Sequence, residues 1–237
     1  MFRMKQFGLE DGASTMKVGT DAVLLGALAA DADTGNNVRH ILDVGTGCGI
    51  VALMMAQRFP SAKVEGIDID EASVQEAAVN FAQSPWPARL HAAHCPLQEH
   101  LSPISYDIIV SNPPYFSRSL RNEDSRRSLA RHDDHLSVAE LTKHAARLLS
   151  VTGILSVIVP ADNMVGLVDA AQRQGLHPFR QLYVHGRHGK AERLCVTEFR
   201  REEQDSVIVQ HEAIAEVDGE YTRWYRETTE SFLLWQK

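Results

Sequence analysis

Apolar and polar positions alternate with two different periods along the chain. Short apolar runs typical of buried strands occur at 40–45, 62–70, 88–95, 106–111 and 153–160. Apolar residues recur at helical spacing from residue 50, over about 71–81, at 135–149 and over 162–175, and the run at 22–30 predicts another, buried helix. Strands separated by amphipathic helices predict right-handed crossovers and a mostly parallel α/β sheet with helices on both faces. Two further strand-like segments, 193–201 and 206–215, have no evident helix between them, which predicts seven strands with an antiparallel C-terminal strand.

Composition narrows the class of protein. The chain has 237 residues, 44% of them hydrophobic, which suits a single large domain over 1–237. No apolar run reaches the ~20 residues that span a bilayer, and the N-terminus lacks the build of a signal peptide. Three scattered cysteines argue against a disulfide framework. These features predict a cytoplasmic protein without a membrane segment. No metal site is predicted, because His91, His94 and Cys95 have no second ligand cluster.

A glycine-rich turn follows the strand predicted at 40–45. The sequence DVGTGCGI at 43–50 places Gly45, Gly47 and Gly49 at alternate positions before a helix. Glycine permits positive φ and lets the backbone approach a ligand at a helix N-terminus. About twenty residues later Asp68 ends the next strand, where an acid can bind ribose hydroxyls. Together these features predict a ligand that contains a nucleoside.

The G-x-G-x-G spacing, with Asp43 two residues ahead, resembles motif one of the Rossmann-like, class I S-adenosylmethionine methyltransferases. The dinucleotide fingerprint, G-x-G-x-x-G, has its third glycine one residue later. The resemblance implies that the 45–49 loop, Thr46 included, holds the amino-acid part of S-adenosyl-L-methionine and that Asp68 holds its ribose. It further implies that Asp43 orders the loop or meets the methionine amine through water.

The strand at 106–111 runs directly into Asn112, Pro113, Pro114 and Tyr115. Proline cannot donate to a sheet ladder, so the strand ends and delivers Asn112 to the edge where ligands bind α/β sheets, next to the cofactor. If the Asn112 side-chain oxygen and the Pro113 carbonyl accept both N–H groups of a planar amine, its lone pair can attack a methyl carbon. The ring of Tyr115 offers a face on which a flipped base could stack. No catalytic base is required, because the proton can leave after transfer.

NPPY in this context resembles the amino-methyltransferases that modify adenine N6 or a protein glutamine. Further stretches are similar to the bacterial tRNA (adenine-N6)-methyltransferase family that acts on the adenine 3′ of the anticodon of valine tRNA. They are KQF at 5–7, MKVGTDAVLLGALA at 16–29, ARH at 130–132 and YTRWYRETTESFLL at 221–234. The resemblance covers nearly the whole chain and implies a tRNA substrate and S-adenosylmethionine as cofactor.

The N-terminal match implies that residues 1–30 cap the cofactor site. Thr20 or Asp21 is expected as the N-cap of the following helix and as a contact to the cofactor, Thr20 in particular, with a plain helix cap as the open alternative. Lys17 is expected to meet a phosphate. Two adjacent positions depart from the family pattern. Cys95 and Pro96 stand where relatives carry an acid and a backbone N–H for the cofactor's adenine, so this contact is weaker or shifts toward His94 or Leu97.

A polar loop at 117–135 is the expected RNA contact. Its basic residues are Arg118, Arg121, Arg126, Arg127 and Arg131, with help from Arg187, Lys190 and Arg193. The net charge of -7 does not indicate nucleic-acid binding, but a local cluster suffices. No obligate protein partner is predicted.

Several alternatives stay open at the level of sequence. A protein glutamine N5-methyltransferase would use the same Asn112 geometry on an amide. A DNA adenine methyltransferase would need a separate target-recognition domain, for which little sequence remains. A nicotinamide oxidoreductase fits the glycine spacing less well. A non-catalytic cofactor-binding module would leave the polar NPPY tip without an evident purpose.

Overall fold

The computed structural model describes residues 1–14, 17–30, 38–113 and 136–235. The strands are β1 (Phe2–Arg3), β2 (Gly8–Leu9), β3 (His40–Val44), β4 (Lys63–Asp68), β5 (Leu90–His94), β6 (Tyr106–Ser111), β7 (Leu149–Pro160), β8 (His177–His185), β9 (Glu192–Arg200) and β10 (Ile208–Ala213). The helices are α1 (Thr20–Leu28), α2 (Ile50–Arg58), α3 (Glu71–Gln83), α4 (Val138–Leu148), α5 (Met164–Gln172) and α6 (Arg223–Thr229). Strands β1 and β2 form a separate antiparallel pair.

The other eight strands form one sheet in the order β10-β8-β9-β7-β6-β3-β4-β5. Every neighbouring pair is parallel except the two that involve β9. The strands β3, β4, β5 and β6 therefore end at the same edge, which we call the rim. At the rim Val44 is the register partner of Ser111, and Asp68 that of His94. The loops after these four strands must consequently lie side by side.

The predicted α/β class and mostly parallel sheet are confirmed, with two corrections. The sheet has eight strands among the described residues instead of seven, because β8 was not recognised. The antiparallel strand is β9, and the last strand, β10, runs parallel to β8. Strand β8 escapes pattern analysis because Pro178 and Arg180 interrupt its apolar alternation. Arg180 is nevertheless buried, since its Nη1 lies 3.3 Å from Oε2 of the buried Glu198 on β9.

Helix α1 confirms the buried helix predicted at 22–30. All of its residues from Ala22 to Leu28 are buried. Its C-terminal carbonyls are satisfied by Arg58, whose Nη1 donates to the oxygens of Gly26 and Ala29 at 3.0 and 2.7 Å. The expectation of Thr20 or Asp21 as the N-cap residue is wrong, because the N-cap residue is Gly19, which makes no side-chain cap bond. Among the described residues, no helix is long and apolar enough to cross a membrane.

The N-terminal segment is tied to α3 and to the loop after β3. The fully buried Asn80 accepts from the backbone N–H of Glu10 at 2.8 Å, and its Nδ2 donates to the carbonyls of Glu10 and Cys48. The Glu76 carboxylate accepts from the N–H groups of Ala13 and Ser14 at 2.8 and 2.9 Å. These bonds hold residues 10–14 beside the glycine-rich loop.

Candidate active site

The glycine-rich loop is a backbone cradle at the rim. Gly45, Gly47 and Gly49 all adopt positive φ, at 73°, 53° and 85°. A Cβ at Gly45 or Gly47 would meet no atom within 4 Å, whereas a Cβ at Gly49 would lie 2.4 Å from Cε1 of Phe81. The first two glycines therefore keep space open, and the third allows α3 to pack closely. An open, glycine-lined cradle beside the start of α2 suits a ligand that backbone groups contact directly.

Asp43 orders this loop from beneath. Its Oδ2 accepts from the Thr46 hydroxyl at 2.7 Å and from the Ala52 N–H at 3.1 Å. Thr46 in turn packs against Gly66 of β4, where a Cβ would lie 2.5 Å from the Thr46 hydroxyl oxygen. Burial raises the pKa of Asp43 to about 7 against the effect of these two hydrogen bonds. One of the two predicted roles of Asp43, loop ordering, is thus visible, and its contact with the cofactor stays a prediction.

Asp68 joins the end of β4 to the glycine loop. Its Oδ2 accepts from the Gly47 N–H at 2.9 Å, and its Oδ1 accepts from the Asp70 N–H at 3.0 Å. The residue is half-buried and therefore keeps partial exposure to solvent at the rim. A carboxylate fixed in this way next to an open cradle suits a ribose diol.

Asn112 follows β6 at the same rim. The Ser111 hydroxyl donates to the Val44 carbonyl at 2.9 Å, which locks the end of β6 to the start of the glycine loop. The Asn112 side-chain nitrogen donates to Oδ2 of Asp21 at 3.1 Å. Its Oδ1 is buried and has no hydrogen-bond partner. A buried acceptor without a partner costs about 1–3 kcal/mol, so this oxygen marks a place where a donor is expected to bind.

The end of β5 differs in chemistry from the other strand ends. The Cys95 N–H donates to the Asp68 carbonyl at 3.0 Å, and the half-buried Cys95 thiol lies 3.4 Å from the Pro96 carbonyl. Burial raises the pKa of this thiol, so it offers no negative charge. His94 is held by the Ile69 carbonyl at 2.9 Å, and Leu97 is buried. The departure seen in the sequence therefore persists in three dimensions, because no carboxylate replaces the missing acid at 95–97.

Other predicted site residues lie at the edge of this arrangement or beyond it. Thr20 is exposed at the first turn of α1. The exposed Lys17 donates from Nζ to the carbonyls of Asp11 and Gly12. Pro113 is buried beside Asn112. The other predicted site residues fall outside the described residues. They are Tyr115 and the loop 117–135 with Arg118, Arg121, Arg126, Arg127 and Arg131.

The structure also adds residues that sequence reasoning missed. Asp21 was expected as a helix cap that also touches the cofactor, whereas the hydrogen bond that its carboxylate accepts from the Asn112 amide was not predicted. Its signal was the GTD triplet within the stretch that resembles the tRNA methyltransferases. Far from Asn112 along the sheet, His185, Glu192 and His211 bring potential metal ligands within 4.8 Å of one another. Within this cluster His211 Nδ1 lies 2.9 Å from Glu192 Oε1, and His185 Nδ1 lies 2.7 Å from the Lys190 carbonyl oxygen.

Comparison with known proteins decides the family. The model of the methyltransferase small domain family matches residues 14–165. The chain belongs to this family. A relative from Bacteroides fragilis is 40% identical over 237 residues, covering 98% of this chain and 97% of its own, and is named tRNA1(Val) (adenine(37)-N6)-methyltransferase. A relative with the same name from Phocaeicola vulgatus is 42% identical over 84% of this chain and 83% of its own. Another, from Flavobacterium johnsoniae, is 36% identical over 99% of this chain and 99% of its own. The resemblance found in the sequence is thereby confirmed.

Solved structures agree on the fold of this methyltransferase. A crystal structure of a predicted O-methyltransferase from Agrobacterium tumefaciens superimposes with a TM-score of 0.66 at 17% identity, covering 89% of this chain and 96% of the other. The ribosomal protein L11 methylase from Lactobacillus delbrueckii gives a TM-score of 0.53 at 17% identity over 76% of this chain and 77% of its own. At these identities the match concerns the Rossmann-like methyltransferase fold alone.

Proposed function

We propose that this protein transfers a methyl group from S-adenosyl-L-methionine to the exocyclic N6 amine of an adenine in tRNA. The observation that carries the proposal is the buried, unpartnered Oδ1 of Asn112 at the rim. It lies after β6, whose end is bonded to the end of β3, and the glycine cradle begins there. The names of the relatives support adenine 37 of tRNA1(Val), next to the anticodon, as the proposed target.

The residues at the rim fit the cofactor. The space that a Cβ would fill at Gly45 and Gly47 is open, so the 45–49 loop can hold the amino-acid part against its backbone. Asp68 is held by the Gly47 and Asp70 N–H groups and is the proposed ribose contact, and Thr20 and Asp43 are further candidate contacts. Adenine of the cofactor would lie beside Cys95, where shape and van der Waals contact replace the missing carboxylate. When bound, S-adenosylmethionine supplies an electrophilic methyl group on its sulfonium.

The protein's own groups act on the substrate amine. Asn112 Oδ1 accepts one N–H, and the Pro113 carbonyl is the proposed acceptor for the second. The proline ring restricts the backbone that carries the second acceptor. Two positioned acceptors orient the amine before reaction and favour a pyramidal nitrogen, whose lone pair is then available. The proton leaves the nitrogen once it is cationic and acidic, so a neutral amide suffices. Tyr115 and the arginines of the 117–135 loop are proposed to stack the base and bind phosphates.

The names of the relatives favour an adenine amine over a glutamine amide as the target. A tRNA substrate implies a cytoplasmic site of action. The absence of an obligate protein partner stays a prediction.

The test is a methyl-transfer assay with mass spectrometry. The protein is incubated with labelled S-adenosylmethionine and total tRNA from a strain that lacks this modification. N6-methyladenosine at position 37 of valine tRNA is the expected product. Label on protein glutamine, or no label on any acceptor while the cofactor binds normally, would overturn the proposal.

A further inference from the structure

The amide of Asn112 has two ends of nearly equal shape but opposite chemistry. Only its oxygen can accept an N–H from the substrate amine, since a rotated amide would present its NH2 group to another NH2 group. The proposed function, on which this inference rests, therefore needs a device that fixes the amide orientation. We propose that Asp21 is this positioning residue.

The bond between the two side chains selects one orientation. The Asn112 nitrogen donates to Asp21 Oδ2 at 3.1 Å. An ionised carboxylate accepts hydrogen bonds and cannot donate them, so it binds the NH2 end of the amide and repels the oxygen end. The same orientation leaves Oδ1 buried and without a partner. The contact with Asp21 therefore explains both why the Asn112 amide nitrogen is hydrogen-bonded and why its oxygen stays unpaired.

Asp21 is itself held in place by α1. The residue lies in the first turn of the helix, and its Oδ1 accepts from the N–H of Ala22 at 3.0 Å. The helix is fixed at its other end by Arg58. Gly19 leaves room for the carboxylate, since a Cβ there would lie 2.3 Å from Asp21 Oδ1. The Gly-Thr-Asp sequence thus has a physical reading: the glycine clears the space that the aspartate occupies.

The charge of Asp21 strengthens the effect. A hydrogen bond with an ionised acceptor is about twice as strong as a neutral one. It also polarises the amide, which makes the far oxygen a better acceptor, because hydrogen bonds in a chain reinforce one another. Asp21 is thus expected to act on the reaction through Asn112, without touching the transferred group.

Kinetics of a double-mutant cycle test this inference. Losing a charge-assisted bond should lower kcat for tRNA methylation in Asp21→Ala by about 10- to 100-fold. The KM for tRNA and the Kd for S-adenosylmethionine, measured by calorimetry, should stay close to parental values. Asp21→Asn keeps an acceptor but permits the rotated pairing, so its kcat should lie between those of Asp21→Ala and the parent. In an Asn112→Ala background, Asp21→Ala should have almost no further effect on kcat. Glu71→Ala, which removes an exposed first-turn acid from α3, is the matched control with parental kinetics.

A structural readout separates this inference from the proposed function. In nitrogen-proton correlation spectra, the Asn112 side-chain pair is assigned by its absence in Asn112→Ala. One of its two protons should be shifted downfield in the parent and should lose that shift in Asp21→Ala. Additive effects in the double mutant, or a raised Kd for S-adenosylmethionine in Asp21→Ala, would overturn the positioning role. If the parent methylates no tRNA, the proposed function fails, while the spectra still decide whether the contact exists.

Discussion

The loops after β3 and β6 lie side by side at the rim and are built in opposite ways. In the loop after β3, the charged and hydroxyl groups that shape it are paired within the protein: Asp43 with Thr46 and Ala52, and Asp68 with Gly47. At the tip after β6, one end of the Asn112 amide is paired and the other is buried without a partner. The hydrogen bonds of the first loop thus hold its shape without a ligand. The second loop keeps an unpaired buried acceptor, to which an N–H group of the substrate would donate.

The strongest test of this contrast is Asn112→Ala. Removing one preorganised polar group from a reaction centre costs about 10²- to 10³-fold in rate, and a loss of that size is expected in kcat for tRNA methylation. The thermal midpoint should change little, because two effects on stability oppose each other. Removing an unpaired buried acceptor is stabilising, whereas losing the hydrogen bond to a half-buried carboxylate is destabilising. Single-turnover methylation and a thermal melt measure both quantities. Parental turnover by this variant would remove Asn112 from the chemistry.

Two glycine substitutions within the loop after β3 separate binding from stability. In Gly49→Ala the new Cβ would meet Phe81 at 2.4 Å with φ at 85°, so a stability loss of about 2–4 kcal/mol is expected. In Gly47→Ala the Cβ meets no neighbour, so the cost is the backbone strain alone, about 1–2 kcal/mol. The new methyl group would occupy the open space of the cradle. The Kd for S-adenosylmethionine should therefore rise at least about 10-fold, which corresponds to the loss of one contact.

Urea unfolding and calorimetry distinguish the two variants. Each serves as the control for the other, since both place the same side chain at a positive φ of the same loop. A Gly47→Ala protein that binds the cofactor normally would show that the open space at this glycine is not the cofactor cradle.

The buried Asp43 makes the stability of the same loop depend on pH. Its pKa is about 7 in the folded protein, mainly through burial, and near 3.9 when unfolded. Between pH 4 and 7 the folded state therefore binds a proton that the unfolded state lacks. Stability must fall as pH rises through this window, by at most about 1.4 kcal/mol per pH unit, and the contribution is flat above it.

Asp43→Asn isolates this contribution. The variant keeps an acceptor for Thr46 and Ala52 but cannot ionise, so the difference in unfolding free energy between variant and parent should grow in favour of the variant from pH 4 to 7. Urea unfolding at several pH values measures it. A difference that stays constant with pH would mean that Asp43 is ionised across the whole range.

The features that the sequence predicted well are local ones. The loop glycines are recognisable because positive φ constrains a single residue, and β6 at Tyr106–Ser111 matches the apolar run at 106–111. Strand β8 was missed because the burial of Arg180 depends on Glu198, which lies on another strand. The Asp21 contact was missed for the same reason, since it joins residues 91 positions apart. The sequence pattern predicts local structure, which is set by residues close together in the chain. It does not predict which polar groups pair when they are far apart in sequence.

The smallest effect is expected at Lys17, which tests whether the cap beside the glycine loop also serves the substrate. Among the described residues, its ammonium donates to two acceptors, the carbonyls of Asp11 and Gly12. Because an ammonium has three N–H groups, one is left for a phosphate. If Lys17 meets tRNA, Lys17→Ala should weaken binding about threefold and reduce the slope of log affinity against log salt by about 1. Lys63→Ala is the control, because this exposed lysine begins β4 at the edge opposite the rim. An unchanged salt slope with a lowered thermal midpoint would instead assign Lys17 a structural role, bracing the turn at Asp11 and Gly12.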